Sequence, residues 1–286
     1  MKWPARLVDD LARRRAIPYL GAGVSANSMT PDGQRPPLWP EFLEYARRKI
    51  APRHKTEISL LAEGYFLELC SRLQIKNPDL WKAALQEKFN RPFKSTQIHE
   101  KLYDLDSSIY ITTNIDKVFD TYANSQSSGV VVIKTFEDND LSYHIRGNNE
   151  TRMILKLHGS IDKPDAAVFS RGQYADLMHG RPSLNQNLNA LLTCFTFVFF
   201  GSGGSDPDIQ FFLERLAAID RRAPPHFFVT ADDRVLRIRD IFQTSYNMEV
   251  VEYSSADGHA ELVTGMEELA KSVLLRREEF AAAALW

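Results

Sequence analysis

Cysteine is the scarcest residue of this chain, with only Cys70 and Cys194 among 286 residues. The two lie far apart and neither belongs to a Cys-x-x-Cys pair, so the chain cannot by itself build a four-cysteine zinc site. Cys70 falls in a helical pattern and Cys194 lies beside an apolar run, and we expect both to be core thiols. We therefore expect no zinc and no other metal centre.

The sequence also lacks a membrane-length apolar run, an excess of one charge and a secretory leader. Its longest apolar stretch, 191–200, is interrupted by threonine and predicts a buried strand. There are 35 Lys and Arg against 37 Asp and Glu, and a net charge of −2 argues against a dedicated nucleic-acid binder. The first residues enter an amphipathic helix with no signal-peptide core. We expect a cytoplasmic protein that contacts neither membranes nor nucleic acids directly.

Seven short apolar segments alternate with segments of helical periodicity. The apolar segments are 17–20, 109–112, 130–133, 153–157, 195–200, 227–230 and 250–253. Most are continuous, which is typical of strands covered on both faces. The pattern predicts an α/β fold, a Rossmann-like and mostly parallel sheet covered by helices, in a single domain over 1–286. Residues 31–93 are predicted to be a helical insertion after the first strand, with one helix at 57–73, and about 260–286 a C-terminal helix.

The first predicted strand ends in a glycine-rich turn. The turn reads Gly21-Ala22-Gly23-Val24-Ser25-Ala26. It fits G-x-G-x-x-A, in which glycines let the backbone approach a phosphate and the amides of the next helix point at negative charge. Turns of this kind also occur without any ligand.

Polar residues follow the second and fourth predicted strands. The second strand ends in Thr113-Asn114-Ile115-Asp116, where Asn114 could serve a ligand or form a turn, and Asp116 could cap the next helix. The fourth ends in His158-Gly159, where the histidine is a candidate general base or a structural residue.

The fifth predicted strand runs into a second glycine- and serine-rich turn. It reads Gly201-Ser202-Gly203-Gly204-Ser205-Asp206-Pro207-Asp208. Such a turn suits phosphates or ribose hydroxyls, and Asp206 or Asp208 could also cap the following helix.

These four strand ends should meet at one edge of the sheet, which favours a nucleotide site. No G-x-x-x-x-G-K-[ST] is present, so the class of P-loop NTPases is disfavoured. Residues 31–41 are proline-rich, with neither the second strand nor the ribose-binding acid of a dehydrogenase. Cleavage of a dinucleotide is therefore favoured over hydride transfer.

The four motifs together resemble the sirtuin superfamily, and more closely its bacterial SIR2-like branch. Residues 21–25 are similar to its G-A-G-x-S loop, and residues 113–116 are similar to its T-Q-N-I-D motif, with Thr113 at the glutamine position. Residues 158–159 match its H-G motif, and residues 201–205 are similar to its later G-[TS]-S loop. Residues 257–259 resemble a late element of the branch. The motifs keep the order of the family and extend over most of the chain.

The resemblance implies a Rossmann-like domain that takes NAD as its substrate and breaks the nicotinamide–ribose bond. The implied catalytic residues are Asn114, which would hold the ribose hydroxyls or a water, and His158, which would act as the base. The implied NAD-binding residues are Gly21, Ala22, Gly23, Ser25, Thr113, Asp116, Gly201, Ser202, Gly203, Ser205 and Asp206.

Protein-deacylating sirtuins carry a four-cysteine zinc module and a Phe-Arg segment after the first loop, and this chain lacks both. The resemblance therefore points to an NAD⁺ glycohydrolase of anti-phage abortive-infection defence. It implies activation by homo-oligomerisation or by a partner, with a HerA-like ATPase and an Argonaute-like protein as candidates. The alternatives are an NAD-dependent deacylase or ADP-ribosyltransferase, and a non-catalytic nucleotide-sensing subunit of a defence complex.

Overall fold

A computed structural model describes residues 1–127, 131–147, 151–204, 207–218 and 222–283. Its seven strands, β1 to β7 in chain order, are Ala16–Leu20, Ile109–Thr112, Val131–Thr135, Arg152–Lys156, Thr196–Phe200, His226–Thr230 and Met248–Glu252. Each overlaps one of the apolar segments for which the sequence predicts a strand.

Helices fill most of the connections between the strands. The fifteen α-helices of the described residues, α1 to α15 in chain order, are Ala5–Ala12, Ala22–Ser25, Trp39–Ile50, Lys55–Ala62, Phe66–Lys76, Pro78–Phe89, Gln97–Asp104, Val118–Gln126, Leu141–Gly147, Arg171–Ala175, Pro182–Cys194, Pro207–Ala217, Asp233–Arg237, Arg239–Tyr246 and Ala256–Ala282. Within these parts of the chain, no helix is both long and apolar enough to span a membrane.

The strands form one sheet in the order β3-β4-β2-β1-β5-β6-β7, and every neighbouring pair is parallel. The predicted fold class, a Rossmann-like α/β sheet covered by helices, is confirmed. The strand order reverses at β1, which pairs with β2 on one side and with β5 on the other. In open parallel sheets, ligands bind outside the carboxyl ends of the strands at such a reversal.

Both faces of the sheet are covered by apolar cores. Tyr19 and Phe199 belong to one core, whereas Leu20 and Phe200, the next residues along β1 and β5, belong to the other. Successive side chains of a strand point to opposite faces, so strands buried on both sides are apolar at every position. This burial explains why the strand segments read as continuous apolar runs.

The segment 31–93, all of which the structure describes, contains α3 to α6 and no strand. The helix predicted at 57–73 is wrong in extent, because Gly64 adopts a φ of +80° and separates α4 from α5. The four helices share a third core that also contains Ile115 and Ile161, from the segments after β2 and β4. The assignment of the whole chain to a single domain stays a prediction.

The two cysteines differ in their surroundings. Cys70 is buried, as predicted, but Cys194 is exposed, so the expectation of a second core thiol is wrong. The apolar run 191–200 divides between a helix and a strand, and Cys194 is the last residue of α11, where the chain turns toward β5. The C-terminal helix α15 changes direction at Asp257, Gly258 and His259, which have left-handed backbone angles.

Two histidines are buried in the fold as hydrogen-bond acceptors. His226 Nδ1 accepts from the backbone N–H of Phe197 on the neighbouring strand at 2.8 Å, and His99 Nδ1 accepts from Thr96 N at 3.1 Å. Burial lowers the pKa of each imidazole from 6.5 to about 4. Both rings are therefore neutral in the native protein near pH 7.

Acidification should destabilise the protein through these two histidines. In the unfolded chain their pKa returns to 6.5, so between pH 6.5 and about 4 the unfolded state binds more protons than the native state. We expect the free energy of unfolding to fall over this range by about 3 kcal/mol per histidine. Urea denaturation at a series of pH values measures this fall. It should be smaller in His226→Gln, whose amide oxygen can accept the same bond, and an unchanged pH profile would contradict the assignment.

Candidate functional site

The glycine-rich turns after β1 and β5 contact each other at the strand-order reversal. Gly21 N donates to Phe200 O at 2.9 Å, and Gly23 N donates to Gly201 O at 2.8 Å. These bonds continue the pairing of β1 with β5 beyond the ends of both strands. The two turns therefore form one continuous backbone surface.

The glycines of this junction are required by the facing turn. A Cβ at Gly21 would lie 2.5 Å from Ser202 Oγ and 2.6 Å from Gly201 O, and one at Gly23 would lie 2.8 Å from Gly201 O. Gly201 itself has a φ of +65°, and a Cβ there would lie 2.5 Å from Val24 N. The glycines of the first turn thus have a second role besides the approach of a phosphate, because they let one turn pack on the other.

Ser202 places a buried hydroxyl at this junction. The residue is 8 % exposed, and among the described residues its Oγ is buried and has no hydrogen-bond partner. Buried hydroxyls are normally hydrogen-bonded, so an unpaired one marks a position where a bound molecule or a water can be accommodated. Gly203 lies beside it and is partly exposed, whereas the predicted site residues Ser205 and Asp206 lie outside the described residues.

The segment after β2 is bound to the first glycine-rich turn through Asn114. Asn114 Nδ2 donates to Gly21 O at 3.0 Å and lies 3.4 Å from Ser25 Oγ. Thr112 Oγ1 accepts from Asn114 N at 3.0 Å and donates to Leu20 O at 2.7 Å. The structure thus brings Asn114 together with Gly21 and Ser25, as the prediction of a common site requires.

Asp116 lies just before α8 and contacts the first glycine-rich turn. Its Oδ1 accepts from Val118 N, the first residue of α8, at 3.0 Å and from Ser25 Oγ at 3.3 Å. The residue is 6 % exposed. The N-cap of α8 is Lys117, so Asp116 is not the capping residue that the sequence allowed. Its carboxylate instead joins the start of α8 to the first turn. Ala22, by contrast, is exposed on that turn, and Thr113 is half-buried.

His158 lies next to Asn114 at the ends of neighbouring strands. The strands β2 and β4 pair in register at Thr112 and Lys156, and both candidate residues follow two positions later. The pairing extends past the strands, because Leu157 N donates to Thr112 O at 2.8 Å. Tyr174 of α10 packs edge-on against the His158 ring, with centroids 5.1 Å apart. The catalytic roles of Asn114 and His158 stay predictions.

The sequence did not lead us to expect a buried ion pair next to these residues. Lys156 is 1 % exposed, and its Nζ lies 2.6 Å from Asp120 Oδ2. Burial raises the pKa of the Asp120 carboxyl, and the positive charge of Lys156 opposes that rise. The available signal was a lysine inside the apolar segment 153–157, since a lysine is almost never fully buried without a partner.

The helical insertion supports the segment that follows His158. Ile161 N donates to Ile115 O at 2.9 Å, and Gln86 Nε2 of α6 donates to Ile161 O at 3.0 Å. The insertion thereby contacts the segments that carry both candidate catalytic residues. In the parts of the chain that the structure describes, no three His, Cys, Asp or Glu side chains converge in a way that could hold a metal ion.

The chain has an open parallel sheet, with two glycine-rich turns and polar strand ends at the reversal of strand order. This arrangement is typical of α/β proteins that bind nucleotides. The family model of the SIR2-like domain matches residues 108–251. The chain belongs to this family, as the resemblance of its motifs predicted.

Three proteins to which the chain is similar carry names that refer to NAD hydrolysis or defence. An NAD(+) hydrolase ThsA of Acinetobacter baumannii is 27% identical over 214 residues, covering 74% of this chain and 41% of the relative. Defense-associated sirtuin 2 of Bacillus subtilis is 23% identical over 220 residues, covering 75% and 20%. NAD(+) hydrolase ThsA of Bacillus cereus is 23% identical over 195 residues, covering 66% and 38%. The chain thus matches less than half the length of each of these relatives.

The junction of the two turns should tolerate no side chain at Gly21. In Gly21→Ala the new methyl group would overlap Ser202 and the backbone of Gly201, and we expect a loss of about 1 to 3 kcal/mol in the free energy of unfolding. Gly172→Ala is the matched control, because a Cβ there meets nothing within 4 Å. Thermal or urea unfolding compares the two variants, and equal stability would contradict the packing of the turns described here.

Proposed function

We propose that this chain is an NAD⁺ hydrolase domain that splits the nicotinamide–ribose bond and releases nicotinamide and ADP-ribose. The observation that carries the proposal is the convergence of the Asn114 amide with the first glycine-rich turn, next to the strand end of His158. The relatives named NAD(+) hydrolase support the same chemistry.

The junction of the two turns is the surface that we assign to the NAD pyrophosphate and riboses. The small residues there allow close approach of a phosphate, and the Ser202 hydroxyl, which has no partner among the described residues, can donate to an oxygen of the ligand. The assigned binding residues are Gly21, Ala22, Gly23, Ser25, Thr113, Asp116, Gly201, Ser202 and Gly203, with Ser205 and Asp206 proposed from sequence alone.

The reaction requires little covalent chemistry from the protein. The bond between ribose C1′ and the nicotinamide nitrogen breaks, its electron pair leaves with the nitrogen, and C1′ acquires oxocarbenium character. A water oxygen then bonds to C1′ and loses a proton, which His158 accepts. Positioning of the water and stabilisation of developing charge are the main contributions of such a site.

Asn114 is the residue that we assign to the water or to the ribose hydroxyls. Its Nδ2 is directed at Gly21 O and Ser25 Oγ, so the side-chain carbonyl oxygen is the atom that can accept from water or from a hydroxyl. These two bonds also restrict rotation of the amide. Because the amide is already held in one orientation, less conformational entropy is lost when the water is bound.

The biological role that we propose is anti-phage defence by depletion of NAD in the cytoplasm. The names of the relatives, NAD(+) hydrolase and defense-associated sirtuin, support it. Activation by homo-oligomerisation or by a partner, such as a HerA-like ATPase or an Argonaute-like protein, belongs to the same proposal. A domain that destroys a central cofactor must be kept inactive until infection.

Removing either candidate catalytic side chain should abolish NAD cleavage. We expect Asn114→Ala and His158→Ala to lower the initial rate of nicotinamide release by at least about a hundredfold, because general-base catalysis and positioning are both lost. The matched controls are Asn124→Ala and His179→Ala, both exposed and outside the site, which should retain the parental rate. The assay is run on purified protein and in cells challenged with phage.

Two outcomes of this assay favour other functions. Nicotinamide release that depends strictly on an acylated peptide would indicate a deacylase. Unchanged NAD loss and unchanged phage protection in both alanine variants would indicate a non-catalytic nucleotide-sensing subunit. Release of nicotinamide and ADP-ribose from NAD and water alone supports the hydrolase.

A further inference from the structure

The buried ammonium of Lys156 contacts more than its counter-ion. Lys156 is the last residue of β4 and is 1 % exposed. Its Nζ donates to Asp120 Oδ2 at 2.6 Å and also to the backbone oxygen of Asp116 at 2.6 Å. Pairing with Asp120 balances the charge, whereas the second bond attaches β4 to the segment that carries Asn114.

A continuous set of hydrogen bonds leads from Lys156 to the Asn114 amide. The carboxylate of Asp116 accepts from Ser25 Oγ at 3.3 Å, and Ser25 Oγ lies 3.4 Å from Asn114 Nδ2. Asp116 and Ser25 are both buried, so water does not readily replace these contacts. A shift of the Asp116 backbone would therefore displace Ser25 and reorient the amide.

The backbone oxygen of Lys156 is also bonded within the turn that carries His158. Gly159 N donates to Lys156 O at 3.2 Å, and Gly159 adopts a φ of +77°, so the chain reverses tightly around His158. The side chain of Lys156 thus acts on the Asn114 segment, while its backbone acts on the His158 turn. One residue joins the two candidate catalytic groups.

We propose that Lys156 is a positioning residue for NAD cleavage, a role that rests on the proposed function. Its ammonium holds the backbone of Asp116, and through Asp116 and Ser25 it holds the Asn114 amide in a fixed relation to His158. Lys156 itself does not touch the reacting atoms.

The competing explanation is that the ion pair only stabilises the fold. Breaking a buried pair on one side is strongly destabilising, but replacing both partners by apolar residues of similar volume is often neutral or stabilising. The double variant Lys156→Met/Asp120→Leu removes both charges and keeps the packing, yet it also removes the bond to Asp116 O. It therefore separates stability from positioning.

The test compares kcat and KM for NAD with the thermal midpoint in the double variant, in Lys156→Met and in Asp120→Asn. We expect the double variant to melt near the parental temperature, with kcat reduced at least about tenfold and KM changed by less than about threefold. Asp120→Asn keeps the bond from Nζ to Asp116 O, so it should lose less kcat than Lys156→Met. Lys134→Met, on the neighbouring strand and paired with Asp140, is the control and should keep parental kcat.

Recovery of kcat to within about twofold in a stable double variant would overturn the proposal, since the pair would then be structural only. If the double variant does not fold, the two single variants decide: equal losses of kcat in Lys156→Met and Asp120→Asn would also overturn it.

Hydrogen exchange distinguishes a failure of this proposal from a failure of the proposed function. If the parental protein cleaves NAD neither when purified nor in cells infected with phage, the hydrolase assignment is wrong, and the positioning claim is judged on amide exchange alone. We expect peptides covering 110–120 to exchange faster in the double variant, with β6 and β7 unchanged. Unchanged exchange at 110–120 would overturn the positioning claim.

Discussion

Backbone hydrogen bonds join the turn after β1 to the turn after β5, and the rest of the candidate site is built against this junction. The bonds from Gly21 and Gly23 to Phe200 and Gly201 leave no room for a Cβ on any of the three glycines. Asn114 then attaches the β2 segment to the same turn. The site is thus an extension of the parallel sheet beyond its strands, which gives its backbone groups the rigidity of the sheet.

The buried ion pair of Lys156 and Asp120 lies close to this surface and restrains the polar ends of β2 and β4. Lys156 joins β4 to α8 through Asp120 and to the Asn114 segment through the oxygen of Asp116. The helical insertion contacts the segment after His158, through the bond from Gln86 to Ile161 O. A reaction that depends on the placement of one water and one base benefits from restraints of this kind, because catalysis by positioning is lost with small displacements.

Local patterns in the sequence predict the fold well, and long-range contacts account for what they miss. Mostly continuous apolar segments predict all seven strands. Burial on both faces removes the polar alternation in the five inner strands, whereas the edge strands β3 and β7 are partly exposed. The break at Gly64 has a local signal, a glycine just after the end of α4, which the reading of one helix at 57–73 passed over. The exposure of Cys194, by contrast, depends on how the end of α11 meets its neighbours. The strand-end motifs predict that Asn114 lies near Gly21. The ion pair of Lys156 with Asp120 joins two different elements, so no local pattern in the sequence predicts it.

The central claim is that the junction of the two turns, together with Asn114 and His158, binds NAD for cleavage. A crystal structure of the His158→Ala variant with NAD tests this claim most directly. The NAD pyrophosphate should lie against the turns at 21–25 and 201–204, with the nicotinamide ribose beside Asn114. NAD bound elsewhere on the protein, or no NAD bound at saturating concentration, would contradict the claim.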